Sequence, residues 1–471
     1  MAEKSFSIRT FGCQMNVHDS EKVANLLLHA GWAEAADPEA ADLLVVNTCS
    51  IRDKAERKLY SDLGLLRRWK AGRPGRLVGV GGCVAQQEGE ALLDRFPQVD
   101  FVFGTHNLRH VPVLAADALA GSRRAAVEAT RSLARFDLPE RHPALSRATP
   151  GRAFVTVMEG CDLFCTFCIV PTTRGREVSR PAEAIVREVE RLAAEGVAEV
   201  TLLGQTVNAY GRHDRRRGRG AEAGTLAFAT LLEQLDAVPG IRRLRYTSPH
   251  PRFFEDALVA AHGDLETLCP HVHLPVQSGS DVVLARMRRR YRADDVRRLA
   301  AALRAARPDV VLTTDLIVAF PGESERDFEA TLDLAREVGF VDAYAFKYSP
   351  RPGTPAALLP GRLSEPEAQA RLEALQDLQR RATLAYHRSR VGSEAEVLVE
   401  GPSRRGGQLS GRDPWHRVVN LDAAGFPGAA PGSFVRARIA EATPHSLIGE
   451  PIAADGRPGA PLGSGAAAAD R

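Results

Sequence analysis

Residues 161–168 read C-D-L-F-C-T-F-C, with three thiols, Cys161, Cys165 and Cys168, in one short loop. A cubane iron–sulfur cluster has four irons, each taking one outside ligand, and cysteine thiolate is the usual one. Three cysteines therefore leave one iron open to a substrate or a second cofactor, a pattern for chemistry rather than electron storage. Working outward, Ala153–Val157 alternates as a strand does, and the residues from Pro181 onward carry helical periodicity. The cysteines thus fall in a loop after a strand, where barrel enzymes carry their active sites. The competing reading is a zinc knuckle. It lacks a fourth ligand, since His142 precedes the motif and no nearby downstream His or Cys completes a tetrahedral set.

The strand–helix alternation continues beyond the loop. Candidate strands are Ala153–Met158, Glu199–Leu203, Arg243–Thr247, His271–Val276, Val310–Val318 and Ala343–Tyr348, with helical stretches such as Pro181–Glu195 and Glu325–Val338 between them. Six βα units predict a partial, open TIM-type barrel over 147–380. Upstream, over 4–120, strand-like Ser5–Thr10, Leu43–Asn47 and Arg76–Val80 alternate with helical Asp19–His29 and Arg52–Trp69, which predicts an α/β domain on a parallel sheet. A cysteine follows each of these strands: Cys13, Cys49 and Cys83. In a parallel sheet such strand ends share one edge, where ligand crevices form. Three remote cysteines thereby make a second set with one iron open. Gly12, Gly81 and Gly82 would let backbone approach a bulky cluster. The competing reading is three unrelated buried thiols. Cys269, which opens a strand, is expected to be a core thiol.

Residues 120–147 are polar, irregular and Arg-rich, which reads as a linker. A third segment, 383–451, contains short strands with Gly-rich turns from Ser393 onward and predicts a small antiparallel β-barrel. Residues 452–471 are rich in Ala, Gly and Pro and read as a disordered tail.

At 471 residues the chain is too long for one core, and 44% hydrophobic with 26% charged residues is ordinary for a globular protein. No apolar run is long enough to span a bilayer, and M-A-E-K-S-F-S-I-R-T has no signal-peptide apolar region. A cytoplasmic monomer without membrane contact is expected, so the seven cysteines read as ligands or reactive thiols rather than disulfides. A net charge of +3 excludes a polycation. Basic residues still cluster at Arg212–Arg219 and Arg286–Arg292, as phosphate contacts or as solvated surface.

C-x-x-x-C-x-x-C in this setting resembles the radical S-adenosylmethionine (SAM) enzymes. The three segments together, from about residue 4 to 450, resemble the methylthiotransferases. F-G-C-Q-M-N (11–16), V-V-N-T-C-S-I-R-D-K-A (45–55), H-L-P-V-Q-S-G-S (273–280) and F-K-Y-S-P-R-P-G-T-P (346–355) match the branch acting on prenylated adenosine in tRNA. The ribosomal-protein branch reads L-G-C-P-K-N at the first cysteine, and the threonylcarbamoyl-adenosine branch reads G-C-x-x-N without this Q-M-N. Two departures stand out. Thr172 replaces an aromatic in Val170-Pro171-Thr172-Thr173-Arg174-Gly175, and Ala319 replaces glycine in Ala319-Phe320-Pro321-Gly322-Glu323.

The resemblance implies two 4Fe-4S clusters and two SAM molecules. Sulfur methylation belongs to the Cys13/Cys49/Cys83 cluster and radical generation to the Cys161/Cys165/Cys168 cluster. The product is a methylthio group on carbon 2 of N(6)-dimethylallyladenosine beside the anticodon, in a loop whose bases can be splayed out. A flavodoxin or ferredoxin would donate the electron. Carried over by position, Gly204 and Gln205 meet the SAM amino group, Gln277 and Ser278 the ribose, and Asp315 and Ile317 the adenine. Each of these also reads as ordinary barrel packing or loop polarity. The C-terminal barrel resembles the TRAM module, where Arg404, Arg405, Arg412, Trp415 and Arg417 combine charge with a stacking aromatic, or else form a solvated surface. The alternatives are a methylthiotransferase for threonylcarbamoyl-adenosine tRNA or a ribosomal protein, and a non-enzymatic iron–sulfur or zinc scaffold that binds RNA.

Overall fold

Every residue of Leu43–Thr48 is buried, as a strand covered on both faces requires. In the computed structural model, which describes residues 4–50, 53–403 and 406–452, this strand lies inside a six-stranded parallel sheet. Arg52, Arg404, Arg405 and the tail from 453 lie outside the described residues. The strands are β1 (Ser5–Phe11), β2 (Ala33–Glu34), β3 (Leu43–Thr48), β4 (Leu77–Gly82), β5 (Phe101–Phe103) and β6 (Arg124–Ala126), in the order β2-β1-β3-β4-β5-β6. Strand alternation gives the sheet two apolar faces. Leu43, Val45, Phe101 and Phe103 pack with Val23 and Leu27 of the helix Gln14–His29. Leu44, Val46, Val78 and Val80 pack with Leu59, Leu63 and Leu66 of the helix Asp53–Ala71.

Sequence periodicity finds β1, β3 and β4. It misses β2, β5 and β6, which are two or three residues long and too short to show a period. The linker expectation for 120–147 does not hold. That stretch supplies β6 and helical turns at Leu133–Phe136 and Pro143–Ala148, and its Arg135 is buried.

By packing, the chain divides into two units. The first holds most of the residues up to Ala148, together with Met158–Arg180 and Arg351–Thr354. The next strand, β7 (Arg152–Thr156), belongs to the second unit. β8 (Met158–Glu159) and β9 (Val178–Ser179) belong to the first and pair antiparallel, framing the loop with Cys161, Cys165 and Cys168. That loop lies in the segment read from sequence as part of 147–380, yet it packs with the N-terminal unit.

In the second unit, β7, β10 (Glu199–Leu203) and β11 (Arg243–Tyr246) run parallel, as do β12 (His271–His273), β13 (Val311–Val318) and β14 (Asp342–Lys347). A parallel bridge between Leu244 and Leu268 joins the two sets. The result is an open barrel of six βα strands with β7 and β14 at its edges. On β13, Leu312, Leu316 and Val318 pack among the helices' apolar residues; Thr313, Asp315 and Ile317 therefore take the other face. The helix Glu365–Ser389, opened by a Ser364/Glu367 capping box, leads into the third segment.

That segment is a closed barrel of β15 (Glu394–Pro402), β16 (Gln408–Arg412), β17 (Val418–Asp422), β18 (Phe434–Ala442) and β19 (Leu447–Pro451). It is not wholly antiparallel as expected, because β17 and β19 pair in parallel. It seats on the amino ends of the larger barrel's strands. Arg152 of β7 pairs with Glu400 at 2.5 Å. Arg243 of β11 donates to the carbonyls of Arg412 (3.0 Å) and Glu396 (2.6 Å), and Arg245 to those of Pro414 and Asp413, both at 2.9 Å. His271 of β12 stacks on His416 at 5.2 Å. Trp415 Nε1 donates to the Asp309 carbonyl just before β13 (2.8 Å), and Arg417 pairs with Asp342 of β14 at 3.3 Å. Glu199 of β10 is buried beside Arg243 and Arg245.

Removing 393–471 would strip partners from guanidinium groups that are buried at this floor. Uncompensated buried charges cost about 3–5 kcal/mol. The truncated chain should therefore unfold at a markedly lower temperature or fail to stay soluble, as read by thermal unfolding. An unchanged melting temperature would show that the floor is not structural.

Candidate active site

Cys13 follows β1 and Gly12 and caps the helix Gln14–His29, its Sγ donating to Asn16 Oδ1 at 3.3 Å. Cys49 directly follows β3, and its amide donates to the Phe11 carbonyl at 3.0 Å, tying the ends of β3 and β1 together. Cys83 opens the short helix Cys83–Glu88 after β4. The Cys49 thiol hydrogen-bonds both Cys13 and Cys83, so the three sulfurs meet. Gly12 is required here: its φ is +143°, and a Cβ would lie 2.5 Å from that of Cys49. Gly81 serves another end than the sequence suggests, since the Phe103 ring fills the space beside it, 2.2 Å from where a Cβ would stand.

The hydrogen bond from Cys49 lowers the Cys13 pKa to about 6, against burial and with help from Arg174. The same bond, again opposed by burial and aided by Arg174, brings Cys83 to about 7. Cys49, hydrogen-bonded with both and buried, is pushed well above the ordinary thiol value. Arg174 therefore joins the site as its cation. The sequence shows it only as part of the V-P-T-T-R-G motif. Its Nη2 pairs with Asp19 Oδ2 at 2.6 Å, and both side chains are buried.

In the second cysteine set, the Cys161 amide donates to the Gly175 carbonyl (3.1 Å) and the Cys168 amide to the Cys165 carbonyl (3.0 Å), a turn that folds two of the cysteines together. Phe164, immediately before Cys165, has φ +50°. Cys161 and Cys165 are buried and Cys168 half-buried. Thr172, the departure from the family motif, is exposed, so the lost aromatic leaves no hole. Cys269 lies apart, and burial lifts it to about 11, as expected of a core thiol.

Glu159, two residues before Cys161, lies 3.5 Å from Lys22 and 3.4 Å from Arg135. Burial would raise its pKa, but Lys22, Arg135, Arg174 and His106 outweigh this and hold it at about 2. His106 Nδ1 accepts from the Thr130 amide at 2.9 Å, which leaves Nε2 protonated to donate to the Arg174 carbonyl at 2.8 Å. Gly175, with φ +73°, permits this contact, since a Cβ would stand 2.9 Å from the His106 ring.

Among the described residues, no group of three or more His, Cys, Asp or Glu side chains is arranged to hold a metal ion as it stands. The Cys13, Cys49 and Cys83 thiols are closed on one another by hydrogen bonds, and a cubane would part them. Their chemistry fits a cluster: three soft sulfur donors, two with lowered pKa, and a buried guanidinium to offset their charge.

Of the residues carried over for SAM, Gly204 and Gln205 follow β10. The Gln277 amide donates to the Asp315 carbonyl and the Ile317 amide to the Gln277 carbonyl, both at 2.8 Å, which draws these three together. Asp315 also pairs with His273 at 3.3 Å, a neighbour within H-L-P-V-Q-S-G-S that sequence reasoning passed over. Ser278 is fully buried, with its hydroxyl 3.1 Å from that of Thr331. Of the residues carried over for RNA, Arg412, Trp415 and Arg417 are engaged at the barrel floor. Arg412 pairs with Glu400 at 3.1 Å, and Arg390 lies over the Trp415 ring at 3.9 Å.

Family models match three segments: uncharacterized protein family UPF0004 at 5–104, the radical SAM superfamily at 155–335, and the TRAM domain at 388–452. A tRNA-2-methylthio-N(6)-dimethylallyladenosine synthase of Geobacter metallireducens is 50% identical over 95% of this chain and 98% of its own. The chain belongs to this synthase family. A second member, from Geobacter sulfurreducens, is 46% identical over 95% of this chain and 97% of its own. The solved radical SAM methyltransferase TsrM of Kitasatospora setae shares the fold, with a TM-score of 0.53 over 76% of this chain and 74% of that one at 13% identity. No helix among the described residues is long and apolar enough to cross a membrane.

Replacing Glu159 with Gln should strand Lys22 and Arg135 beside Arg174 and lower stability by about 3–5 kcal/mol. A depressed carboxylate stabilises above its ordinary pKa of 4.5, and that contribution is lost as pH falls toward about 2. Denaturant unfolding should therefore show a wide gap between wild type and variant at pH 7 that closes below pH 4.5. A pH-independent gap would refute the charge argument.

Proposed function

We propose that this chain attaches a methylthio group to carbon 2 of N(6)-dimethylallyladenosine beside the anticodon of tRNA, using SAM as both methyl donor and radical source. One observation carries the reading. Cys13, Cys49 and Cys83 gather at one sheet edge, in the same packed unit as the Cys161–Cys168 loop, in a chain 50% identical to a synthase of that name. Bound by the two cysteine sets, 4Fe-4S clusters would supply the electron that turns SAM into a hydrogen-abstracting radical and the site at which sulfur is methylated. Carbon 2 of adenine bears no acidic proton, so a positioned base has nothing to remove and a radical route is the sensible one.

The chain's own residues hold, orient and shield. Cys161, Cys165 and Cys168 hold the radical cluster, and Cys13, Cys49 and Cys83 the sulfur cluster. Gly204, Gln205, Gln277, Asp315 and Ile317 form the SAM cradle, and Ser278 braces its turn from inside. RNA contact belongs to Arg404 and Arg405, to Arg436 and Arg438, which are exposed on β18, and to the exposed Arg288, Arg290 and Arg292. Arg412, Trp415 and Arg417 are left out of it, because their groups are taken up at the floor. Action as a cytoplasmic monomer with a flavodoxin or ferredoxin as electron donor completes the reading.

Anaerobic reconstitution should load about eight irons per chain, two clusters of four. Changing Cys13, Cys49 and Cys83 to Ala should halve the iron, preserve reductive SAM cleavage and abolish methylthiolated product. Mass spectrometry of tRNA nucleosides from a deletion strain should show N(6)-dimethylallyladenosine without its 2-methylthio form. If that nucleoside is unchanged while another methylthio modification is lost, the substrate assignment is wrong.

A further inference from the structure

Arg174 is held by its backbone and half of its side chain. It follows the helical turn Val170–Thr173, which packs on the helix that begins with Cys83. Its amide donates to the Val170 carbonyl at 2.8 Å, and its carbonyl accepts from His106 at 2.8 Å. Nη2 bonds Asp19 at 2.6 Å. Nη1 is also buried but has no hydrogen-bond partner. A buried donor left unsatisfied is costly, and native folds rarely keep one without a ligand to meet it. The turn before Arg174 packs on the helix opened by Cys83, and its partner Asp19 sits on the helix capped by Cys13, so the guanidinium is held between the elements that carry that set. A planar guanidinium suits anions.

We propose that Arg174 Nη1 is the donor that holds an anionic sulfur ligand, sulfide or persulfide, at the open iron of a cluster on Cys13, Cys49 and Cys83. The inference rests on the reading that these cysteines hold a cluster. Arg174 is then the positioning residue of the sulfur half of the reaction. It is delivered by the loop that carries the radical-cluster cysteines, six residues after Cys168. Asp19 fixes the guanidinium and leaves one nitrogen facing the ligand.

The test uses the full chain with C161A/C165A/C168A, so that only this cluster contributes signal. Sodium sulfide is titrated into the reduced, reconstituted protein and followed by electron paramagnetic resonance. In a variant that also carries R174Q and D19N, the neutral pair can still hydrogen-bond and no buried charge is stranded. It should keep its iron yet need about ten-fold more sulfide, or beyond, for the same spectral change. R174K, which keeps the charge but not the fork, should fall between. Identical sulfide dependence in R174Q/D19N overturns the proposal. If that variant loses its iron, R174K decides, and binding equal to the parent overturns the proposal. If the parent itself binds no iron, the cluster reading fails first and this inference falls with it.

Discussion

The parallel ladder through β1, β3 and β4 is the constraint on which the site depends. Phe11, Thr48 and Gly82 are register partners at its last rung. Because the strands end level, the next one or two residues of each fall together, and in each case these include a cysteine. A slip of one residue would turn Leu43 and Val45 from one apolar face to the other and carry Cys49 away from its partners. Burial of both faces thus fixes the geometry of the sulfurs.

Charge supplies what the sheet cannot. Asp19 and Lys22 from the first helix, Arg135 from the helical turn Leu133–Phe136, and Glu159 and Arg174 from either side of the cysteine loop form one largely buried set of alternating sign. Apolar packing tolerates sliding; a buried pair whose partner moves away is strongly penalised. The loop is thereby set against the sheet edge by interactions that favour a single arrangement.

Much of this was legible in the chain. The unbroken apolar run that opens Leu43–Asn47, and cysteines placed after each long strand, were enough to bring Cys13, Cys49 and Cys83 together. The six barrel strands also stood out, because each is flanked by a helix with its own period. The network around Glu159 was not legible, because its members are scattered from Asp19 to Arg174 and a charged residue in a single sequence reads as surface. Arg135 misled for the same reason, sitting in a stretch whose composition resembles a linker. Arg412, Trp415 and Arg417 look like an RNA-binding patch. Only the structure reveals their protein partners: Glu400 for Arg412, Arg390 and the Asp309 carbonyl for Trp415, and Asp342 for Arg417.

The seating of the small barrel on the amino ends of the large one has an evolutionary consequence. Its anchors are dispersed along the host, at Arg152, Arg243, Arg245, His271, Asp309 and Asp342, on strands separated by whole helices. A module attached by a flexible tether can be exchanged by one recombination event. This one can be replaced only if half a dozen distant positions change with it, so the small barrel and the radical SAM barrel are bound to diverge as a single piece.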